Sequence, residues 1–96
     1  MAVAVHIVNT PNSNVRRQYE DAWKQLGEQG AHHPAGRVSH TAWLVGDALH
    51  VLDIWESQEQ MRAFMETTLG SVLQGVGMDL EGQPEFGELL NVVVPT

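Results

Sequence analysis

The sequence predicts one α+β domain over residues 1–96, with its elements in the order β-α-β-β-α-β. Three observations predict it. Two strand-like runs with a two-residue turn between them occupy the middle of the chain, a helical stripe lies on each side of that hairpin, and a valine-rich run stands at each end. This order is the ferredoxin-like arrangement, in which two helices cover one face of a four-stranded antiparallel sheet. The right-handed crossover rule places the first and third strands at the centre of that sheet.

Ala2 to Val8 is an apolar run broken only by His6. Its length and valine content predict a strand buried on both faces. Thr10 to Asn14 is turn chemistry and offers Ser13 or Asn14 as a helix N-cap. From Val15 the pattern becomes helical: Val15, Tyr19, Ala22, Trp23 and Leu26 fall on one face. Gly27 and Gly30 are candidate stops, and the loop to Gly36 carries His32, His33 and Pro34.

Arg37–Val45 and Ala48–Trp55 are rich in β-branched and aromatic residues and flank Gly46-Asp47. Glycine at the first position of a two-residue loop suits a type II′ turn. That turn sets the register and opposes His40 to Asp53 and Val38 to Trp55. One face then carries Val38, His40, Ala42, Leu44, Leu49, Val51, Asp53 and Trp55. The other carries Arg37, Ser39, Thr41, Trp43, Val45, Ala48, His50, Leu52 and Ile54. A slip by one residue would dissolve both lists.

Ser57 followed by Gln60 is a capping-box pattern. Met61, Phe64, Met65, Thr68, Leu69, Val72 and Leu73 continue it as a helical stripe, with a break or bend expected at Gly70-Ser71 and an end near Gly77. Asp79 to Pro84 reads as a polar loop. The last strand is expected within Glu85 to Val94, clearest from Leu89 to Val94, with Pro95 ending it. The sheet's second face has no helix to cover it, yet both faces carry apolar residues. A second copy packed sheet against sheet is the simplest cover, so a homodimer is expected.

Composition narrows the function. The chain has no cysteine, which removes disulfide scaffolds, thiol catalysis and Cys-based zinc sites. The net charge is −7, and residues 47–96 hold one basic and nine acidic side chains. Such a chain repels phosphate backbones, so no nucleic-acid partner is expected. No apolar run reaches the ~20 residues needed to cross a bilayer. The N-terminal run has no basic region and no long apolar stretch, so the expected setting is cytoplasmic, without a membrane partner.

The sharpest candidate chemistry is the cross-strand pair His40 and Asp53. Directly opposed residues have Cβ atoms about 4.5–5.5 Å apart, within interaction range. A carboxylate that orients an imidazole makes a general base for a phenolic proton; the same pair could equally be a hydrogen-bonded feature of the sheet. Trp55 is a candidate wall for a flat ligand, and Trp43, on the opposite face, is a candidate for the interface between copies. His32-His33 lack the spacing that brings two histidines onto one ion, so no metal is expected.

Val51-Leu52-Asp53-Ile54-Trp55-Glu56-Ser57, then Met61, Phe64 and Leu69, then Gly82-Gln83-Pro84-Glu85, resemble the dimeric α+β barrel superfamily, and within it the antibiotic-biosynthesis-monooxygenase-like domains. The resemblance covers nearly the whole chain. It implies a homodimer whose paired sheets form a barrel, with a pocket in each subunit between sheet and helices. The superfamily holds cofactor-independent oxygenases, haem-degrading enzymes, isomerases and decarboxylases, and the favoured expectation is a likeness to the cofactor-independent oxygenases, acting on a small phenol- or quinol-like aromatic. His40 and Asp53 would be catalytic, and Trp55, Tyr19, Trp23, Phe64 and Asn9 would bind the ligand. The haem-degrading branch of the superfamily uses an Asn, Trp and His triad. Trp55 matches its tryptophan and Asn9 is an offset match for its asparagine, but no histidine occurs from Ser57 onward. Two other readings use the same pocket: an isomerase or decarboxylase, and a non-catalytic homodimer that binds a small apolar ligand or a partner.

Overall fold

The structure, a computed structural model, describes residues 2–93. Its elements are β1 (Val3–Val8), α1 (Val15–Glu28), β2 (Arg37–Val45), β3 (Ala48–Trp55), α2 (Gln58–Phe64), a π-helical turn (Met65–Leu69), α3 (Gly70–Val76) and β4 (Glu85–Glu88). The sheet runs in the order β2-β3-β1-β4 and every pair is antiparallel. β1 and β3 are therefore central, as the crossover rule requires.

The hairpin follows the expected register from Val45↔Ala48 to Ser39↔Ile54, and His40 lies opposite Asp53. Gly46 has φ of 60°, which the first position of a type II′ turn demands. The register departs from expectation at one end. A bulge between Arg37 and Ser39 pairs Arg37, not Val38, with Trp55. One extra residue shifts the facing of what precedes it. Val38 turns out to solvent, 56% exposed, while the Arg37 side chain is tucked in at 8%.

β1 turns Val5 and Ile7 into the core, while Ala4, His6 and Val8 are only half-covered on the other side. A strand expected to be buried on both faces is thus buried on one in the single chain. Residues of α1 and of the α2–α3 segment close the inner face, where Val5, Ala22, Leu26, Trp55, Met61, Phe64 and Val72 form the main cluster.

Asn14 is the N-cap of α1, but its side chain makes no capping bond; the Asn12 Oδ1 accepts the Asn14 N–H instead, at 2.8 Å. The helix passes through Gly27, which serves another purpose. A Cβ there would lie 2.5 Å from the His32 ring. Glycine lets that imidazole rest on the helix.

Ser57 caps α2 and accepts the Gln60 N–H at 3.2 Å. At Gly70-Ser71, where a break or bend is expected, the helix is unbroken and loosens into a π turn just before Gly70. Gly70 donates its N–H to the Met65 carbonyl, and a Cβ on Gly70 would stand 2.9 Å from that oxygen. The missing side chain accommodates the wider turn, so the helix bulges rather than breaks. Gly77, at φ 79°, ends it in the left-handed conformation.

The last strand lies within its expected span of Glu85 to Val94, but at the start of it rather than over Leu89 to Val94. β4 is Glu85–Glu88, and Glu88 pairs with Val3 at the start of β1. The β1–β4 ladder ends at Val3↔Glu88, followed by the Leu89 N–H bond to the Ala2 carbonyl at 3.1 Å. Leu90, Val92 and Val93 are exposed, and Val94 and Pro95 lie outside the described residues. β propensity alone cannot make a strand without a partner edge.

Candidate functional site

A cavity of about 70 Å³ lies between the inner face of the sheet and the helices. Its walls are mostly apolar, with Ile7, Leu26, Val51, Leu69, Leu73 and Met78 among them. Its polar groups are Asn9, Tyr19, Arg37, His40 and Asp53.

Each polar group is set by a different element. His40 and Asp53 meet across the β2–β3 ladder, where the His40 Nδ1–H donates to Asp53 Oδ1 at 2.6 Å. A carboxylate only accepts, so it selects the tautomer that leaves Nε2 free to accept. Nε2 receives the Tyr19 hydroxyl at 2.8 Å from α1. Asp53 is 5% exposed and the His40 side chain 18%. The bulge brings the Arg37 guanidinium to 4.0 Å from the other Asp53 oxygen. Arg37 also donates to the His32 carbonyl and stands 5.8 Å from the centres of both Trp23 and Phe64.

An aromatic stack clamps this network. Trp23 stacks on His40 with centroids 5.3 Å apart and on His32 at 4.8 Å. The His32 Nε2–H donates to the Trp23 carbonyl at 3.0 Å, while the ring of exposed His33 stands at 71° to that of His32. The two adjacent histidines therefore diverge. Asn9, 2% exposed, accepts the Leu49 N–H and donates to the Thr10 carbonyl at 3.1 Å. Both ends of its amide are engaged by backbone, so it shapes the cavity wall.

Tyr19, Trp23, Asn9, His40 and Asp53, all named from the sequence, converge on the cavity. Trp55 and Phe64 do not line it. They pack against each other at 5.7 Å beneath α2, with Trp55 only 1% exposed. Trp55 is the last residue of β3, and its inward-facing ring is covered by the first turns of the following helix. Arg37 was missed, because strict alternation assigns it to the opposite face; only the bulge turns it inward.

The Tyr19 hydroxyl is held above its ordinary pKa of 10.0, chiefly by burial and then by the Asp53 charge, with Arg37 pulling the other way. Tyr19 is the only tyrosine, so its ionisation can be followed by tyrosinate absorbance. It is expected to ionise above 10.0 in the folded protein. The sign for stability follows. Above 10.0 the unfolded chain loses this proton first, so stability falls as pH rises from 10.0 through the folded value. Tyrosinate appearing below 10.0 would contradict this environment.

No protein-family model and no curated protein sequence matches this chain. Solved structures do. A protein named as a candidate antibiotic biosynthesis monooxygenase, from Chloroflexus aurantiacus, superposes with a TM-score of 0.71 at 11% identity, covering 98% of each chain. A point mutant of SnoaB, a cofactor-independent oxygenase from Streptomyces nogalater, gives 0.69 at 11% identity over 96% of each chain. A protein of unknown function from Nitrosomonas europaea gives 0.69 at 17% identity, over 99% of this chain and 95% of that one. The fold is thus the α+β, ferredoxin-like subunit found in antibiotic-biosynthesis-monooxygenase-like proteins. No helix among the described residues is long and apolar enough to cross a membrane.

Proposed function

We propose that the chain is a cofactor-independent, monooxygenase-like enzyme acting on a small phenol- or quinol-like molecule, working as a cytoplasmic homodimer. The observation that carries this reading is the His40–Asp53 pair in the wall of a mostly apolar cavity. Asp53 orients the imidazole and stabilises the imidazolium, and His40 is the general base for an acidic ring hydroxyl. The ring anion so formed is electron-rich enough to react with oxygen without a cofactor. The fold shared with a cofactor-independent oxygenase supports it. The cavity limits the substrate. At about 70 Å³ it is smaller than the ~150 Å³ apolar cavity that takes benzene. One ring enters only with a shift of the half-buried Tyr19 or Trp23, and a polycyclic substrate is disfavoured.

The test is oxygen uptake on a panel of single-ring phenols and quinols. The wild type should consume oxygen, and His40→Ala should lower the rate by about 10²–10⁴-fold with assembly unchanged. Equal uptake by both proteins would remove His40 from the chemistry. Turnover without oxygen uptake would mark an isomerase or decarboxylase. A protein that turns over nothing, and that His40→Ala merely destabilises, would be the non-catalytic alternative.

The dimer has its own support. On the helix-free face, Trp43, Val45 and Leu52 are exposed, and Trp43 stacks on His50 at 5.2 Å. Leu90, Val92 and Val93, which follow the end of β4, are exposed as well. A second copy covering that face removes the apolar exposure. Trp43→Glu is expected to shift sedimentation equilibrium from dimer to monomer; a wild-type protein that sediments as a monomer would end this part of the reading.

A further inference from the structure

We propose that Tyr19, not His40, is the catalytic residue that touches the substrate's hydroxyl, as the outer member of a Tyr19–His40–Asp53 proton relay. This rests on the reading of the cavity as a base-catalysed site and specifies how that base reaches its substrate.

Both nitrogens of His40 are engaged: Nδ1 with Asp53 at 2.6 Å and Nε2 with Tyr19 at 2.8 Å. One face of the ring is covered by Trp23 at 5.3 Å. A general base must present a lone pair to the proton it takes, and His40 has none left to offer the cavity. Tyr19 does. Its hydroxyl spends its one hydrogen on Nε2, and its oxygen keeps lone pairs for a donor that enters the cavity Tyr19 lines.

Proton transfer then runs through three atoms. The substrate O–H bond breaks as its proton joins the Tyr19 oxygen. The original Tyr19 O–H bond breaks as that proton joins His40 Nε2. The result is a substrate anion, a neutral Tyr19 and a His40 imidazolium beside the Asp53 carboxylate, with total charge conserved and no electron transferred. Tyr19 now donates to the anion it created, and Arg37 lies on the same cavity. The raised ionisation of Tyr19 agrees with this role: tyrosine stays protonated between transfers, and the basicity is that of the imidazole behind it.

The probe is para-nitrophenol, whose ionised form absorbs visible light, titrated with wild type, Tyr19→Phe and His40→Gln below the probe's own pKa. The wild type is expected to hold it largely ionised. Tyr19→Phe should bind it within a few-fold of wild type yet leave it at least tenfold less ionised, as should His40→Gln. If Tyr19→Phe ionises the probe as well as wild type while His40→Gln does not, the relay is wrong and His40 acts directly. If the wild type neither binds nor ionises it, the base-catalysed reading fails and the relay with it. Biosynthetic replacement of the sole tyrosine by fluorotyrosine keeps the test open should Tyr19→Phe not fold. The more acidic phenol donates more strongly to the bound anion, so the relay predicts a severalfold rise in the ratio of ionised to neutral bound probe. An unchanged fraction would assign Tyr19 to packing and overturn the proposal.

Discussion

Truncating Trp55 to alanine is expected to lower unfolding stability by about 3–5 kcal/mol. Trp55 is among the largest fully buried side chains, 1% exposed, and it sits in one cluster with Val5, Met61 and Phe64. A domain of this size has roughly 5–15 kcal/mol in all. The loss therefore leaves a protein close to the edge of folding. Trp55→Phe provides the contrast. The indole Nε1 is buried with no hydrogen-bond partner among the described residues, so the native side chain already carries a desolvation cost. Such a group costs about 1–3 kcal/mol. Phenylalanine removes that cost while leaving a smaller void, so it should lose far less stability than alanine. Urea unfolding with an unchanged slope would measure both. A loss below ~1 kcal/mol for alanine would mean that Trp55 does not hold the core and could line a ligand site after all.

The second large effect is at Asp53. It is 5% exposed and faces two donors: the His40 Nδ1–H at 2.6 Å and the Arg37 guanidinium at 4.0 Å. Asp53→Ala leaves a guanidinium, on a side chain 8% exposed, without its counter-charge. Removing one partner of a buried pair costs about 3–5 kcal/mol. Asp53→Asn keeps the volume and one acceptor, and is expected to cost about 1–3 kcal/mol. The sole tyrosine provides a second readout. With the Asp53 charge gone, one of the two causes that raise Tyr19 disappears while burial remains. Tyrosinate should therefore form at lower pH in Asp53→Asn than in wild type. A variant as stable as wild type, with Tyr19 titrating unchanged, would show that Asp53 is not coupled to this network.

The hairpin register was legible because two independent signals agreed. Gly46-Asp47 allows one turn geometry, and the alternation of His40, Ala42, Leu44 with Leu49, Val51, Asp53 has meaning in one register only. The first helical stripe was legible for a similar reason, since Val15, Ala22 and Leu26 are buried at the spacing of a helix. Ser57 and Gln60 marked the start of the second helix through chemistry that spans three residues.

The features legible in the chain were local or of fixed period: the order of elements, the hairpin, the Ser57 cap and the opposition of His40 to Asp53. Four features were decided by tertiary structure alone. The bulge at Val38 turned Arg37 inward, and alternation cannot foresee an extra residue. The place of β4 depended on where β1 begins, because an antiparallel strand ends where its neighbour does. Trp55 went to the core because the helix after it folds back over the strand end. Tyr19 reached His40 because α1 packs on the inner face of the sheet, a contact across 21 residues that no local pattern encodes. Short-range stereochemistry repeats along a chain and can be read from it. The distance between side chains on different elements is set by how whole elements pack.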